Sequence, residues 1–440
     1  MQVKTLSGRP ASSYQNDWGQ DIKVEIPETG VSASELYRYL RQWLGNETHI
    51  TGEVYRTAVG IAITARAGAL PGATARGTEA DLDRLVQQAA EAVYGQTQPY
   101  RYAAYLASSG RTQEGVAALR RLAASGPSQE RGWAHMALGG ILYSTGDPQG
   151  AVREEMAAAA LAPRLEQAHA TWAASLELQA GLGHDEAALF EWTQALTLVR
   201  DGRAIETIDM PDAERKAIVQ ALESARERLR GDFGAAAAVD ASRESFTVEA
   251  SRSFSLIPTR VTDLESAHDL GAARRLIDPG RLSNAAYELS GEMERAQLDK
   301  ALDDWPGIVA ELEPRQATEI AAGPSERVEM ERVFLPDLAL AYAHVGRQAE
   351  AEAMIAQAPM DCDECVLTRG RIAAAKGDWT DAAKWFAVTA ARSPSIPFAT
   401  YEWGKMLMTE GDLDGAIGKL KVANRAGPHF ADALELWGEA

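Results

Sequence analysis

Three glycines near the end of the chain, Gly370, Gly404 and Gly438, stand 34 residues apart twice over. The pair Trp403-Gly404 returns as Trp437-Gly438. In the same frame Gly377-Asp378 aligns with Gly411-Asp412, Ala382 with Ala416, Phe386 with Leu420, and Pro394 with Pro428. A period of this length means that one supersecondary unit is stacked on copies of itself, each too small to bury its apolar face alone.

Each recurring position has a physical role. Gly370 and Ala382 fall where two helices, A and B, of one unit cross, and only a small side chain permits that approach. Gly377 and Gly411 end helix A in a turn that a β-carbon would hinder. Pro394 and Pro428 close helix B, because proline cannot extend it. This pattern resembles that of the tetratricopeptide (TPR) repeats of bacterial type. The resemblance implies an α-solenoid of helical hairpins whose helix A side chains line a concave groove.

The frame fits elsewhere. Leu338, Ala339, Tyr342, Gly346, Ala351 and Ile355 make another unit, and Leu138-Gly139, Leu142, Gly146-Asp147, Ala151 and Pro163 make one near the front. Its neighbours run from Tyr102 to Pro127, turning at Gly110, and from Trp172 to Leu196, turning at Gly183. The middle departs from the pattern. Pro211 to Arg230 reads as one long charged amphipathic helix, Ser242 to Pro258 as a long connection. Asp304-Trp305-Pro306-Gly307-Ile308 echoes Gly377-Asp378-Trp379-Thr380-Asp381-Ala382, which places a degenerate unit around it. The last unit, Phe430 to Ala440, supplies the first part of a helix A and no polar capping helix, as a chain cut within a repeat would.

Ahead of the repeats the period changes. Ile22, Val24 and Ile26 alternate with polar residues, as in a half-buried strand. Ser32-Ala33-Ser34-Glu35 is a capping box before Leu36, Leu40, Trp43 and Leu44 on one helical face, with Gly45 as a stop. Ile50 to Tyr55 and Val59 to Ala65 are further alternating runs. Thr78 opens a second helix, with Leu82, Leu85, Val86, Ala89 and Val93 inward and Gly95 closing it. This order resembles the TolB-type amino-terminal α/β domain, which precedes helical repeats in bacterial envelope and signalling proteins; a plain adaptor capping the first repeat fits the residues equally. The expected fold is therefore mainly α, a TPR-like α-solenoid preceded by a small α/β domain. It divides into an α/β domain at 1–96, repeats at 97–200, an irregular helical middle at 201–332 and repeats at 333–440.

Composition limits the function classes. With 63 acidic against 44 basic residues the formal charge is −19, so nucleic acid is repelled on average and is not an expected partner. No stretch approaches the roughly 18 apolar residues that span a bilayer. The sequence lacks a phosphate-cradling Gly-x4-Gly-Lys-Ser/Thr, a His-Glu-x-x-His and a Gly-x-Ser-x-Gly. Its seven histidines are scattered, so no cofactor, metal or catalytic residue is expected. Asp361-Cys362-Asp363-Glu364-Cys365 contains the chain's two cysteines. Zinc would require two further ligands, and the surrounding acids oppose a reactive thiolate. Two small residues at a helix A entrance, either free or bridged in an oxidising compartment, fit better. The bulk numbers leave cytoplasm and periplasm both open.

Trp192, Trp385, Trp403 and Trp437 fall at repeat-core positions. The TPR resemblance assigns groove positions to Trp133, Met136 and Tyr143 in one unit and to His169 and Trp172 in the next. Towards the end it assigns them to Leu367, Arg371, Phe398, Tyr401, Lys405 and Met408. Aromatic, methionine and basic side chains together suit peptide capture, unless another part of the protein fills the groove. The expected function is recognition of another protein or peptide, as a scaffold or recognition module of a larger bacterial signalling or envelope protein. Its rivals are a structural spacer of the envelope and an enzyme with a site in 201–332, using acids such as Asp303 and Asp304.

Overall fold

The computed structural model describes residues 50–177, 182–204, 211–244, 257–277, 299–300, 302–315, 327–328 and 330–440. The strand expected at Ile22–Ile26, the helix expected after Ser32 and most of the connection expected from Ser242 to Pro258 lie outside them. Among the described residues strands occur only at the front and helices make up nearly all the rest. The chain is a TPR-like α-solenoid behind a small sheet, in two compact units, 1–135 and 136–440. The first hairpin of helices therefore belongs with the sheet.

In the first unit β1 (Ile50–Thr57), β2 (Gly60–Ala67) and β3 (Ala73–Gly77) form an antiparallel meander, with Val54 opposite Ile63 and Ile63 opposite Ala75. Helix α1 (Leu82–Thr97) packs on β2, where Ile61 and Ile63 meet Leu85 and Ala89. A 3₁₀ turn at Glu79–Asp81 leads into it, opened by a capping box with Thr78 and Asp81 as the reciprocal pair. Two details differ from the sequence reading. Leu82 and Val86, expected inward, are 44% and 50% exposed, because the inward stripe runs through Leu85, Ala89 and Val93. Gly95 does not end the helix, which continues to Thr97. A β-carbon at Gly95 would come within 3.0 Å of the Tyr102 ring on α2 (Pro99–Ser108), so close packing explains that glycine. A turn at Gly110 leads to α3 (Thr112–Ser125), and α4 (Ser128–Ser144) begins in this unit and ends in the next.

The second unit continues with α5 (Pro148–Leu161), α6 (Glu166–Leu176), α7 (Asp185–Arg200), α8 (Asp212–Leu229), α9 (Phe233–Glu244), α10 (Ile257–Ser266), α11 (Leu270–Ile277) and α12 (Trp305–Leu312). A π-helical turn at Met330–Phe334 enters α13 (Leu335–His344). The hairpins then run through α14 (Gln348–Ile355), α15 (Asp363–Ala375), α16 (Trp379–Arg392), α17 (Phe398–Glu410), α18 (Leu413–Ala426) and α19 (Ala431–Glu439).

One joint repeats along the chain. A residue with positive φ ends helix A, and where the next residue is aspartate its side chain caps helix B. Gly146, Gly377 and Gly411 have φ of 80°, 80° and 93°. Asp147, Asp378 and Asp412 then accept from the backbone N–H three residues on, at 2.7, 3.1 and 3.0 Å. The left-handed conformation suits glycine because it has no β-carbon, and the aspartate satisfies an N–H that the first turn leaves unpaired. The same joint occurs in the middle, where the sequence reads as irregular. Gly231-Asp232 links α8 to α9, His268-Asp269 links α10 to α11, and Asp303-Asp304 precedes α12. His268 and Asp303 hold φ of 59° and 56° without being glycine; the unit at Asp304 is the degenerate one expected there, and the one at His268 has no glycine to mark it.

The crossings are tight where expected. A β-carbon on Gly370 would lie 2.5 Å from the Phe386 ring, and one on Gly404 would lie 2.8 Å from Leu420. Gly418, in the interior of α18, has nothing within 4 Å of the same position. Gly370→Leu or Gly404→Leu is expected to destabilise the protein by about 1–3 kcal/mol or more through overpacking. Gly418→Ala is expected to stabilise it by about 0.5–1 kcal/mol, because alanine loses less backbone entropy in a helix. Thermal melts of the three variants check the register; equal shifts in all three would contradict it.

Candidate functional site

The groove positions of the second unit meet through the return of its front helices onto its last ones. Trp172 on α6 and Phe398 on α17 belong to one apolar cluster with Leu176, Ala188, Leu229 and Ile396. These two residues, far apart in sequence, are brought together. The return is fastened by backbone groups. Asp363 N–H donates to the Gly183 carbonyl at 2.8 Å, Arg332 Nη1 to the Leu182 carbonyl at 2.5 Å, and Ser395 N–H to Glu186 Oε2 at 2.8 Å. At the other edge, Gly231 lies so close to Phe430 that a β-carbon would come within 2.7 Å of its ring.

Phe233, the first residue of α9, therefore stacks on Phe398 at 5.9 Å and meets Phe430 edge-on at 6.2 Å. Phe430 packs perpendicular to Phe398 at 5.5 Å and against Tyr401 at 5.0 Å. Burial, with Glu402 and Asp432 nearby, pushes the Tyr401 hydroxyl further above its ordinary pKa. Arg371 on α15 is held between Glu364 and Glu402, the latter at 2.8 Å. Burial alone would raise the Glu402 carboxyl, but Arg371 and Lys405 outweigh it and leave the carboxyl below its usual value. His169 Nδ1 lies 2.6 Å from Glu191 Oε2.

One face of α17 carries Phe398, Tyr401, Lys405 and Met408 at helical spacing. The first two are covered by the chain's own aromatic residues. Lys405 is exposed and Met408 half-exposed. Trp133 and Met136 fall in different compact units. Trp133 sits against Tyr100 at 5.5 Å, Met136 is buried, and Tyr143 is half-buried. The indole N–H groups of Trp133 and Trp172 are buried without an acceptor among the described residues. Trp172 packs with the apolar cluster, so truncating it would disturb the fold as well as any ligand.

Among the described residues no group of three or more His, Cys, Asp or Glu is arranged to hold a metal ion. Cys362 and Cys365 form a disulfide at the start of α15, both buried, with Cys362 Sγ accepting from Cys365 N–H. Of the acids named for an enzyme reading, Asp304 caps α12 through Gly307 N–H, and Asp303 occupies the left-handed position before it. The sequence reading missed the covering residues Leu229, Gly231 and Phe233. The Gly231-Asp232 pair, the same dipeptide as at 377 and 411, is the mark that would have revealed a joint there.

Two groups of buried acids flank this region. Asp185, at the start of α7, has one buried carboxyl oxygen with no hydrogen-bond partner among the described residues. Burial pushes it well above its usual pKa, and Asp363, Glu177 and Glu364 add to the effect. Burial raises Asp363 as well, against Ser393 and Arg392. In the front repeat Glu155 is 1% exposed, opposite Gly139, and among the described residues it accepts only from Ser175 Oγ, at 3.1 Å. Its burial raises it from 4.5 to about 7.

No protein-family profile matches the chain, and no curated protein matches it. Solved structures do match. The APC/C hetero-tetramer Cut9–Hcn1 is similar at 12% identity over 82% of this chain and 74% of that one, with a TM-score of 0.48. Naa15/Naa10 bound to HypK-THB gives 12%, 77%, 67% and 0.19. The TPR domain of P58(IPK) gives 15%, 77%, 96% and 0.20. These three scores lie below 0.5, so the fold rests on the chain's own hairpins.

Between about pH 4.5 and 7 the folded protein keeps the Glu155 proton that the unfolded chain has lost. This contribution to stability is fully present below the unfolded value and is lost as pH rises through the folded one. The melting temperature is therefore expected to fall between pH 5.5 and pH 8. Glu155→Gln should raise it at pH 8 and flatten the profile, an effect bounded at about 3 kcal/mol. Identical pH profiles in the two proteins would contradict this assignment.

Proposed function

We propose that the chain is a protein-interaction module that docks a segment of another protein on the open part of its concave face. The observation that carries this reading is the stripe on α17. Phe398 and Tyr401 form an aromatic floor, while Lys405 stands exposed and Met408 half-exposed beyond it. A cationic side chain beside a polarisable apolar one suits a partner segment with an acidic and an apolar residue one helical turn apart. Arg371 is committed to Glu364 and Glu402, so it orients the wall of the groove. Met136, Tyr143, His169 and Trp172 belong to helices of the same unit that shape the rest, whereas Trp133 lies in the first unit.

The finer reading is the recognition part of a larger bacterial signalling or envelope protein. The bridge between Cys362 and Cys365 favours the envelope side, because such bonds persist in oxidising compartments. The TolB-like reading of the first 96 residues points the same way. A structural spacer is the second reading, favoured by the covering of Phe398 and Tyr401 by Phe233 and Phe430 of the same chain.

Affinity capture from the native cell separates the two. A recognition module retains a stoichiometric partner. Lys405→Glu with Met408→Ala should lower its recovery about tenfold or more, as loss of one or two contact residues does. Both side chains stand outside the packed core, so the melt should stay at the parental value. Full recovery by this variant would overturn the α17 site.

A further inference from the structure

The seam that closes the second unit is made at the first turn of α15, and the chain's two cysteines bracket that turn. Cys362 is the capping residue of α15, and Cys365 lies one turn on, bridged to it. Between them stand Asp363 and Glu364, and each holds a different part of the unit. Asp363 N–H donates across the seam to the Gly183 carbonyl at 2.8 Å, and the Asp363 carboxyl accepts from Ser393 Oγ at 2.5 Å. Glu364 pairs with Arg371, which also donates to Glu402 on α17 at 2.8 Å. Just ahead of the bridge, Asp361 accepts from Arg332 Nη2 at 3.2 Å, while Nη1 of the same guanidinium reaches the Leu182 carbonyl. The N–H groups of a first turn have no partner within their own helix, so this is the part of α15 most ready to fray. The Asp363 N–H is such a group, and its acceptor belongs to the turn before α7.

We infer that the Cys362–Cys365 bridge is a redox latch: oxidised, it holds the first turn of α15 in the shape that closes the seam, and reduction by a dithiol releases that turn and opens the seam between α7 and α15. A thiolate of the dithiol attacks one bridge sulfur, the S–S bond breaks and a mixed disulfide forms. The second thiol of the reductant then displaces it and closes the reductant's own disulfide, so that two electrons and two protons pass to the chain and leave two thiols. Asp361, Asp363 and Glu364 disfavour a thiolate at this place, so the reduced pair is a poor nucleophile. That chemistry suits a switch with two lasting states better than an exchange catalyst. Both cysteines are 0% exposed, so a reductant meets the bridge only when the turn has lifted from Gly183. Reduction thereby traps the open form. Through Glu364 and Arg371 the change also reaches the groove wall beside Lys405; for that consequence the inference rests on the docking reading above, while its test needs no partner.

Hydrogen exchange is compared in the full chain before and after dithiothreitol, with thiol titration counting the two cysteines released. The amides of Asp363 and Ser395, the two backbone donors of the seam, should exchange at least about tenfold faster after reduction, the scale set by loss of a short-loop cross-link. Amides in α18 should keep their rates. Cys362→Ser with Cys365→Ser should show the fast exchange at Asp363 and Ser395 without reagent, and no response to it. Unchanged exchange at the two seam amides once both thiols are titrated would overturn the inference. An equal rise throughout α18 would do the same, because the bridge would then be a staple for the whole unit. A bridge that the reagent fails to reduce while the protein is folded, or a response of the double variant to the reagent, would also overturn it.

Discussion

Everything in the repeat region depends on how closely two helices of one hairpin approach. At Gly370 and Gly404 the distance leaves no room for a single carbon atom, and the space is filled from the other helix by Phe386 and Leu420. A glycine in mid-helix is intrinsically unfavourable. It persists at these crossings because the large facing side chain gains more from complete burial than the helix loses. The third such crossing pairs Gly139 with Glu155, so the same geometry there encloses a carboxyl group instead of a hydrocarbon. Two hairpins with one architecture thus respond differently to pH.

Much of this was legible in the sequence because the crossing and the joint use residue types with few substitutes. The glycines at 110, 146, 183, 346, 377 and 411 all adopt the left-handed turn that their spacing implies. The middle was legible in part, in the long helix after Pro211 and the unit around Asp304, and the rest was hidden for a specific reason. His268 takes the same conformation with a side chain that tolerates it less well, and one joint, Gly231-Asp232, follows a helix whose charge pattern disguises its buried side. At the front, alternation located β1 and β2, but Leu82 and Val86 were assigned to the wrong face of α1, since a helix with several apolar residues offers more than one plausible stripe. The candidate groove was legible residue by residue and not as an assembly. Repeat register assigns a side chain to the concave face; it carries no information about which distant helix faces it there.

That distant partner changes the character of the groove. Phe398 and Tyr401 are groove residues by position and core residues by contact, because Phe233 and Phe430 complete an aromatic cluster around them. Arg371, between two glutamates, is neutralised in the same way. The exposed recognition chemistry is thereby shifted along α17 towards Lys405 and Met408.

The bonds from Gly183 to Asp363 and from Glu186 to Ser395 join residues about 180 and 210 positions apart. An open solenoid has only neighbour contacts, so it behaves as a one-dimensional array that frays from its ends and folds quickly from any point. Closing the second unit on itself replaces that behaviour. Its hairpins must find partners across long stretches of chain, which slows folding, and loss of any one hairpin removes support from two places. The unit is then expected to unfold more cooperatively than an open array of the same hairpins.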